Sequence, residues 1–252
     1  MTKLTVIVLT HNESKHIRDC LNSLKFADER IVFDSFSTDN TVDLARESGA
    51  MAIRHPFTDY AAQRNAALES VAGKTDWVLF VDADERVSPE LAEELRQVIM
   101  QRQYVAYQIP RYNYIFGKLT RGAGWYPDYQ TRLLKLGKAS YENPVHEVVV
   151  LDGELGTLKE HFIHHNYEDL DHFVEKQRKY TFYDAQIMYS QGIKPKPQNY
   201  ILQPLRHFRW RFLELRGYRD GWHGLRLSVL MAWYEFRKYV LLNQLWEESK
   251  RA

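Results

Sequence analysis

Apolar residues along this chain come in short unbroken runs separated by polar loops. Leu4-Thr-Val-Ile-Val-Leu9, Ile31-Val-Phe33 and Trp77-Val-Leu-Phe-Val81 show no alternation, which predicts strands buried on both faces. Between them, Ile17, Cys20, Leu21 and Leu24 fall on one face of a helix. A second helix is expected to start with Ser37 or Thr38 as its cap and to close at Gly49, and a third carries Gln63 to Leu68 and ends near Gly73. Strand, polar loop and helix in turn predict a doubly wound α/β sheet, mostly parallel, with ligands beyond the carboxyl ends of the strands. Further along, strands are expected over 104–116 and 129–136, and a hairpin over 145–151 and 154–158 turning at Asp152-Gly153. A long helix from about Asp169 to Tyr189 stops at Gly192, and Lys194-Pro-Lys-Pro197 reads as a linker.

Chemistry concentrates where the third apolar run ends, in Asp82-Ala-Asp84-Glu85. Side chains two apart on an extended chain share a face, so Asp82 and Asp84 are placed to meet one hard cation and leave coordination positions for a diphosphate. The competing reading is electrostatic: Ser88-Pro89-Glu90 starts a helix, and acids just upstream complement its dipole. With 34 basic against 33 acidic residues, no global field marks a nucleic-acid binder. Cys20 is the only cysteine, which excludes an internal disulfide and a cysteine-based zinc site. No apolar run reaches the roughly 18 residues of a membrane span, and the N-terminus has no signal-peptide pattern; a cytoplasmic protein is expected.

The last fifty residues differ from the rest. From Pro204 onward there are ten Lys or Arg against five Asp or Glu, with ten aromatics interleaved. Leu227, Leu230, Met231, Tyr234, Lys238 and Leu241 follow helical spacing. Such a face suits a membrane interface, the protein's own core or a second subunit, and amphipathicity alone does not choose.

Four ordered motifs carry a family resemblance: Thr10-x-Asn-Glu13, Asp34-Ser-x-Ser-Thr-Asp39, Gln63-Arg64-Asn65-Ala-Ala, and Asp82-Ala-Asp84-Glu85. They resemble the nucleotide-sugar domain of family 2 glycosyltransferases with the GT-A fold, a Rossmann-like doubly wound sheet. Gly124-Trp-Tyr-Pro-Asp128-x-Gln-x-Arg132, Pro144-Val-His-Glu147 and His164-His-x-Tyr167 extend the likeness to the bacterial lipopolysaccharide core β-glucosyltransferase subgroup. The resemblance implies an inverting enzyme that moves a hexose, glucose by preference, from a UDP-sugar to a lipid-linked saccharide with Mn2+ or Mg2+.

On that reading Asp84 is the expected metal ligand, with Asp82 bridging towards the ribose or the metal shell. His164 matches the position of a further metal ligand, with His161 and His165 as close competitors. Thr10, Glu13 and Asp34 would face the uridine, Asn65 lies in the same nucleotide-sugar motif set, and Asp39 is expected to cap a helix. Arg64 or Arg132 would hold phosphate oxygens, or serve only as ion-pair partners. Inversion needs a base opposite the leaving diphosphate: Glu147 is the first choice by resemblance, Asp128 the second, and an Arg-paired structural role for Glu147 stays open.

The functional segments expected are 1–103 for the nucleotide sugar, 104–192 for the acceptor side and catalysis, and 193–252 as a helical C-terminal extension. Peripheral contact with the cytoplasmic face of the inner membrane, or a homodimer, is expected through that extension. Competing functions are a polyprenyl-phosphate or exopolysaccharide transferase and an inactive nucleotide-sugar-binding scaffold.

Overall fold

The computed structural model describes residues 2–101, 103–143 and 147–250. They form two compact units: one runs up to Arg111 and resumes from Asp128 to His164, the other holds Tyr112 to Pro127 and the chain from His165 onward.

In the first unit β1 (Leu4–Thr10), α1 (Ile17–Ser23), β2 (Glu29–Asp34), α2 (Thr41–Glu47), β3 (Met51–Arg54), α3 (Tyr60–Ser70) and β4 (Trp77–Asp82) alternate, and β5 (Glu85–Val87) and α4 (Pro89–Val98) follow. β6 (Ala106–Ile115) and β7 (Lys118–Thr120) precede β8 (Tyr129–Lys135), β9 (Ala139–Glu142), β10 (Val148–Leu151), β11 (Leu155–Thr157) and β12 (Phe162–Tyr167). The main sheet has the order β3-β2-β1-β4-β8-β6-β12-β5. The expected α/β architecture is present. Pairing is parallel through β3-β2-β1-β4 and between β11 and β6, and antiparallel from β4 to β8, β8 to β6 and β12 to β5.

Unbroken apolar runs follow from a sheet covered on both sides. Val6, Val8, Leu79 and Val81 pack with Leu21, Leu91 and Leu95, whereas Ile7, Val78 and Phe80 pack with Ala67, Leu68 and Val71. Successive residues of one strand thus feed two cores. Cys20 lies in the first, where burial pushes its thiol far up and keeps it protonated. Ser88 caps α4 by accepting the Leu91 N–H, with Pro89 in the first turn, as its sequence predicts.

Two local expectations are corrected. Neither Ser37 nor Thr38 caps α2; Asp39 accepts the Thr41 N–H at 3.0 Å instead. The hairpin around Asp152-Gly153 does not form: β10 pairs with β9, and β11 runs parallel to β6. The physical reason is non-local, because Gly156 allows β11 to lie against the Tyr107 ring, which a Cβ there would meet at 2.6 Å. Val145, the expected start of that hairpin, is outside the described residues.

In the second unit β6 and β7 form a hairpin through Ile115↔Lys118. α5 (Leu170–Ser190) starts at Asp169, whose carboxylate accepts the His172 N–H, matching the expected long helix closely. α6 (Asn199–Arg209) continues into a π-helical turn, Trp210–Glu214, and a 3-10 turn, Gly217–Asp220, leads into α7 (Gly221–Ser249). A methyl group at Gly224 would lie 1.9 Å from the Gly217 carbonyl oxygen, so α7 meets that turn only through glycine. Leu227 and Tyr234 join Ile115, Tyr167 and Phe173 in a core, with Leu230 and Met231 packed on it, and Leu241 borders a second cluster around Ala185, Tyr239 and Leu242. The apolar stripe recognised in the sequence is therefore turned into the unit's own interior.

Leu79→Ala should cost about 2–5 kcal/mol, since it empties space between two covered faces. Urea unfolding followed by tryptophan fluorescence measures it, and a loss below about 1 kcal/mol would show that the site collapses freely.

Candidate active site

The carboxyl ends of β1, β2 and β4 lie side by side in register, with Thr10 opposite Asp34 and Leu9 opposite Asp82. At the β1–β2 end, the buried Asp34 accepts hydrogen bonds from Thr10 Oγ1 at 2.8 Å, Ser37 N at 2.9 Å and Ser37 Oγ at 2.5 Å. Glu13 N donates to Thr41 Oγ1 and Ser14 N to Asp39, so the two loops brace each other. Burial would raise the Asp39 carboxyl, but its bonds to Thr41 and Ser14 hold it at about 2. Thr10 and Asp34 are thus bonded to each other at the ends of β1 and β2, and Glu13 lies in the loop that follows β1, held through its backbone to Thr41.

At the end of β4 three guanidinium groups converge on Asp82. Arg132 Nη2, from β8, donates to Asp82 Oδ2; Arg64 Nη2, from α3, lies 3.8 Å from Oδ1; Arg111 Nη1, from β6, lies 4.0 Å from Oδ2. Burial alone would raise the Asp82 carboxyl, yet Arg132, Arg64 and Arg111 together hold it down at about 2. Beneath it, the fully buried Glu85 accepts the Asp82 N–H at 2.9 Å and faces Arg111 Nη1 at 3.3 Å. Burial, and next the Asp82 charge, push the Glu85 carboxyl up.

Arg111 also engages Asp128: Nη2 lies 2.6 Å and Nε 2.8 Å from Oδ2, while Gln130 Nε2 donates to Oδ1 at 2.9 Å. Both Asp128 oxygens therefore have strong donors, which opposes a role as proton acceptor. Glu147 has a lighter hold among the described residues, a hydrogen bond from Arg64 Nε at 3.2 Å. Of the motif that carries it, Pro144, Val145 and His146 lie outside the described residues.

Strand alternation separates the three histidines. His164 on β12 is buried, with Nε2 3.3 Å from Asp84 Oδ2, whereas His165 is exposed, its ring tilted against that of Tyr114 at 5.8 Å within the second unit. His161 precedes β12. The Asp84–His164 pair offers one oxygen and one nitrogen donor. Among the described residues, no group of three His, Cys, Asp or Glu side chains is arranged to hold a metal.

Arg64, Arg132, Tyr141 and Glu147 line a cavity of about 340 Å3, with Gln130 on its wall. The Arg64 guanidinium lies 5.0 Å from the Phe80 ring centre and 5.4 Å from that of Tyr141. Asn65 Nδ2 donates to Tyr141 O at 2.8 Å and Tyr141 N to Asn65 Oδ1 at 2.9 Å, fastening β9 to α3. Asn65 is thereby occupied with backbone. Arg64 Nη1, Arg132 Nε and Tyr141 OH are buried without a hydrogen-bond partner among the described residues, a concentration of unsatisfied polarity that is uncommon in folded chains and typical of binding sites.

Sequence reasoning missed Glu85, Arg111 and Tyr141. Glu85 could have been found, as the third acid of a motif already singled out; Arg111 and Tyr141 sit in ordinary strand sequence, with no local signal.

The family model described as Glycosyl transferase family 2 matches residues 5–152. An uncharacterized glycosyltransferase of Rickettsia bellii is 31% identical over 96% of this chain and 87% of its own length. The lipopolysaccharide core biosynthesis glycosyltransferase LpsC of Rhizobium meliloti is 27% identical over 92% of this chain and 89% of its own. Among solved structures, S. aureus TarS 1-349 is similar with a TM-score of 0.48 and 14% identity, covering 98% of this chain and 92% of that one. The chain belongs to glycosyl transferase family 2, and its mixed sheet with a helical C-terminal region is of the GT-A kind that the motifs imply.

Removing a buried hydroxyl that has no partner relieves a desolvation cost of about 1–3 kcal/mol. Tyr141→Phe should therefore leave the donor-free protein equally or more stable in urea, and a loss above about 1 kcal/mol would show that the hydroxyl is bonded after all.

Proposed function

We propose that this glycosyltransferase moves a hexose, glucose by preference, from a UDP-sugar to a lipid-linked saccharide of the lipopolysaccharide inner-core kind, with inversion at the anomeric carbon. The observation that carries the reading is the pairing of Asp84 with His164 beside the arginine-rich end of β4. The acceptor class is supported by the likeness to LpsC over nearly the whole chain. A lipid-linked acceptor would be met at the cytoplasmic face of the inner membrane.

The residues present fit a divalent cation. One carboxylate oxygen and one imidazole nitrogen suit Mn2+ better than Mg2+, which prefers oxygen alone, and diphosphate oxygens would complete the shell. Asp84 and His164 would hold it, and when bound it would neutralise charge on the departing diphosphate. Asp82, clasped by guanidinium groups, would position those groups and stand at the border of the metal shell. Arg64 and Arg132 face the cavity and add positive charge where the diphosphate departs. Thr10, Glu13 and Asp34 form the uridine end.

Glu147 acts as the base. As the acceptor oxygen bonds to the anomeric carbon, its proton passes to the Glu147 carboxylate, and the bond from that carbon to the diphosphate oxygen breaks to release UDP. The contact with Arg64 Nε holds Glu147 on the cavity wall. A second reading, in which Glu147 only orients Arg64, is favoured by the same contact.

A screen of nucleotide sugars for UDP release tests the reaction, and release with UDP-glucose is expected to exceed that with other donors. Asp84→Ala should abolish turnover while the thermal unfolding midpoint stays close to wild type; full activity in this variant, or in wild type with EDTA, would remove the metal from the scheme. Glu147→Gln keeps the contact geometry and removes basicity, so turnover should fall about 10²- to 10⁴-fold with little change in donor affinity. If Asp128→Asn shows that behaviour and Glu147→Gln does not, Asp128 is the base.

A further inference from the structure

α6 is amphipathic in the opposite sense to a helix that belongs to a core. None of its residues is buried. Ile201, Leu205 and Arg209 recur at i, i+4 and i+8 with Leu202 and Arg206 beside them, and all five are exposed, Ile201 by 65% and Leu205 by 60%. The half-buried face mixes polar and aromatic residues: Asn199, Tyr200, Gln203, Pro204, His207 and Phe208, with the Tyr200 ring 6.2 Å from that of Phe236 on α7. Arg211 Nε donates to His207 Nε2 at 2.8 Å, and His207 Nδ1 lies 3.8 Å from Glu235. Burial and then Arg211 push His207 down to about 4, so it packs there as a neutral ring.

Apolar surface turned outward on a rigid element marks an interaction site. Its charge indicates the occupant. Both charged residues on the face are arginines; Arg209 Nη2 lies 3.1 Å from Glu214 Oε1, and Arg206 borders a hollow that Glu235 also lines. α6 carries no Asp or Glu, so a second copy packed face to face would gather four arginines without supplying a carboxylate from this helix, which disfavours a self-association of this face. A surface rich in phosphate oxygens above an apolar layer satisfies both parts at once, with aliphatic side chains at the acyl boundary and guanidinium groups among headgroups. No described helix is long and apolar enough to cross a membrane, so contact of this kind would lie along the surface.

We propose that the outward face of α6, formed by Ile201, Leu202, Leu205, Arg206 and Arg209, docks the protein on an anionic lipid surface. This deepens the reading of a lipid-linked acceptor and rests on that reading for its purpose only. Arg211 is excluded from the face despite lying in the same basic run: its Nη1 donates to Ala123 O at 2.6 Å, and its guanidinium stacks 5.7 Å from the Trp125 ring centre.

The test is cosedimentation of the full chain with vesicles of phosphatidylcholine alone or with about one-third phosphatidylglycerol. Wild type should bind the anionic vesicles at least about tenfold more tightly than the neutral ones, and less tightly at high salt. Leu202→Glu/Leu205→Glu and Arg206→Gln/Arg209→Gln should each weaken that binding about tenfold or more, with thermal unfolding and lipid-free UDP release unchanged. Arg211→Gln is not the informative variant, because it removes contacts inside the unit. Absence of wild-type binding, or equal binding by both double variants, would overturn the proposal. So would a concentration-dependent dimer in light scattering that Leu202→Glu/Leu205→Glu dissociates, which would assign the face to a second copy. Vesicle binding without UDP release from any nucleotide sugar would count against the proposed reaction and still support the surface.

Discussion

The site depends on how a carboxylate is tolerated at the end of a strand covered on both faces. Asp82 follows five buried residues, and an ion in that position without counter-charge would be costly. Arg64, Arg111 and Arg132 supply the counter-charge from a helix and two antiparallel strands, so satisfying one side chain fixes α3, β6 and β8 against the end of β4. The arginines in turn have anions of their own in Glu147, Glu85 and Asp128, and the network extends to the cavity wall.

That arrangement divides labour within one short motif. Asp82 and Asp84 are chemically identical and two residues apart, yet one is turned into a cluster of guanidinium groups and the other towards an imidazole. Glu85, the third acid, anchors the turn through the Asp82 N–H from a position closed to solvent. Environment, and not residue type, gives each carboxylate its role. Asp128 likewise has both carboxylate oxygens engaged, one by Arg111 and the other by Gln130.

The second unit shows apolar stripes put to opposite uses. On α7 the stripe through Leu227, Leu230, Met231 and Tyr234 closes a core against α5 and Tyr167. On α6 the aliphatic residues point away from the chain, and a neutral histidine, a glutamine and a tyrosine face α7. α7 therefore buries its aliphatic stripe within the unit, whereas α6 packs through Tyr200 and leaves Ile201, Leu202 and Leu205 outside.

By itself the sequence determined the elements whose signals are local. Unbroken apolar runs, polar loops, the Ser88-Pro89 start, the Asp169 start of α5 and four ordered motifs were sufficient for the α/β class and the family, because each rests on neighbouring residues. β3 escaped notice as a four-residue strand with exposed ends, and the Asp152-Gly153 hairpin failed because a turn signal says nothing of which partner a strand finds at long range. Only the tertiary structure decided which carboxylates are bound to arginine, which histidine meets Asp84, and which helical face looks outward. Those outcomes depend on side chains brought together across 26 to 83 positions of sequence, where electrostatic pairing and packing, not local pattern, set the result.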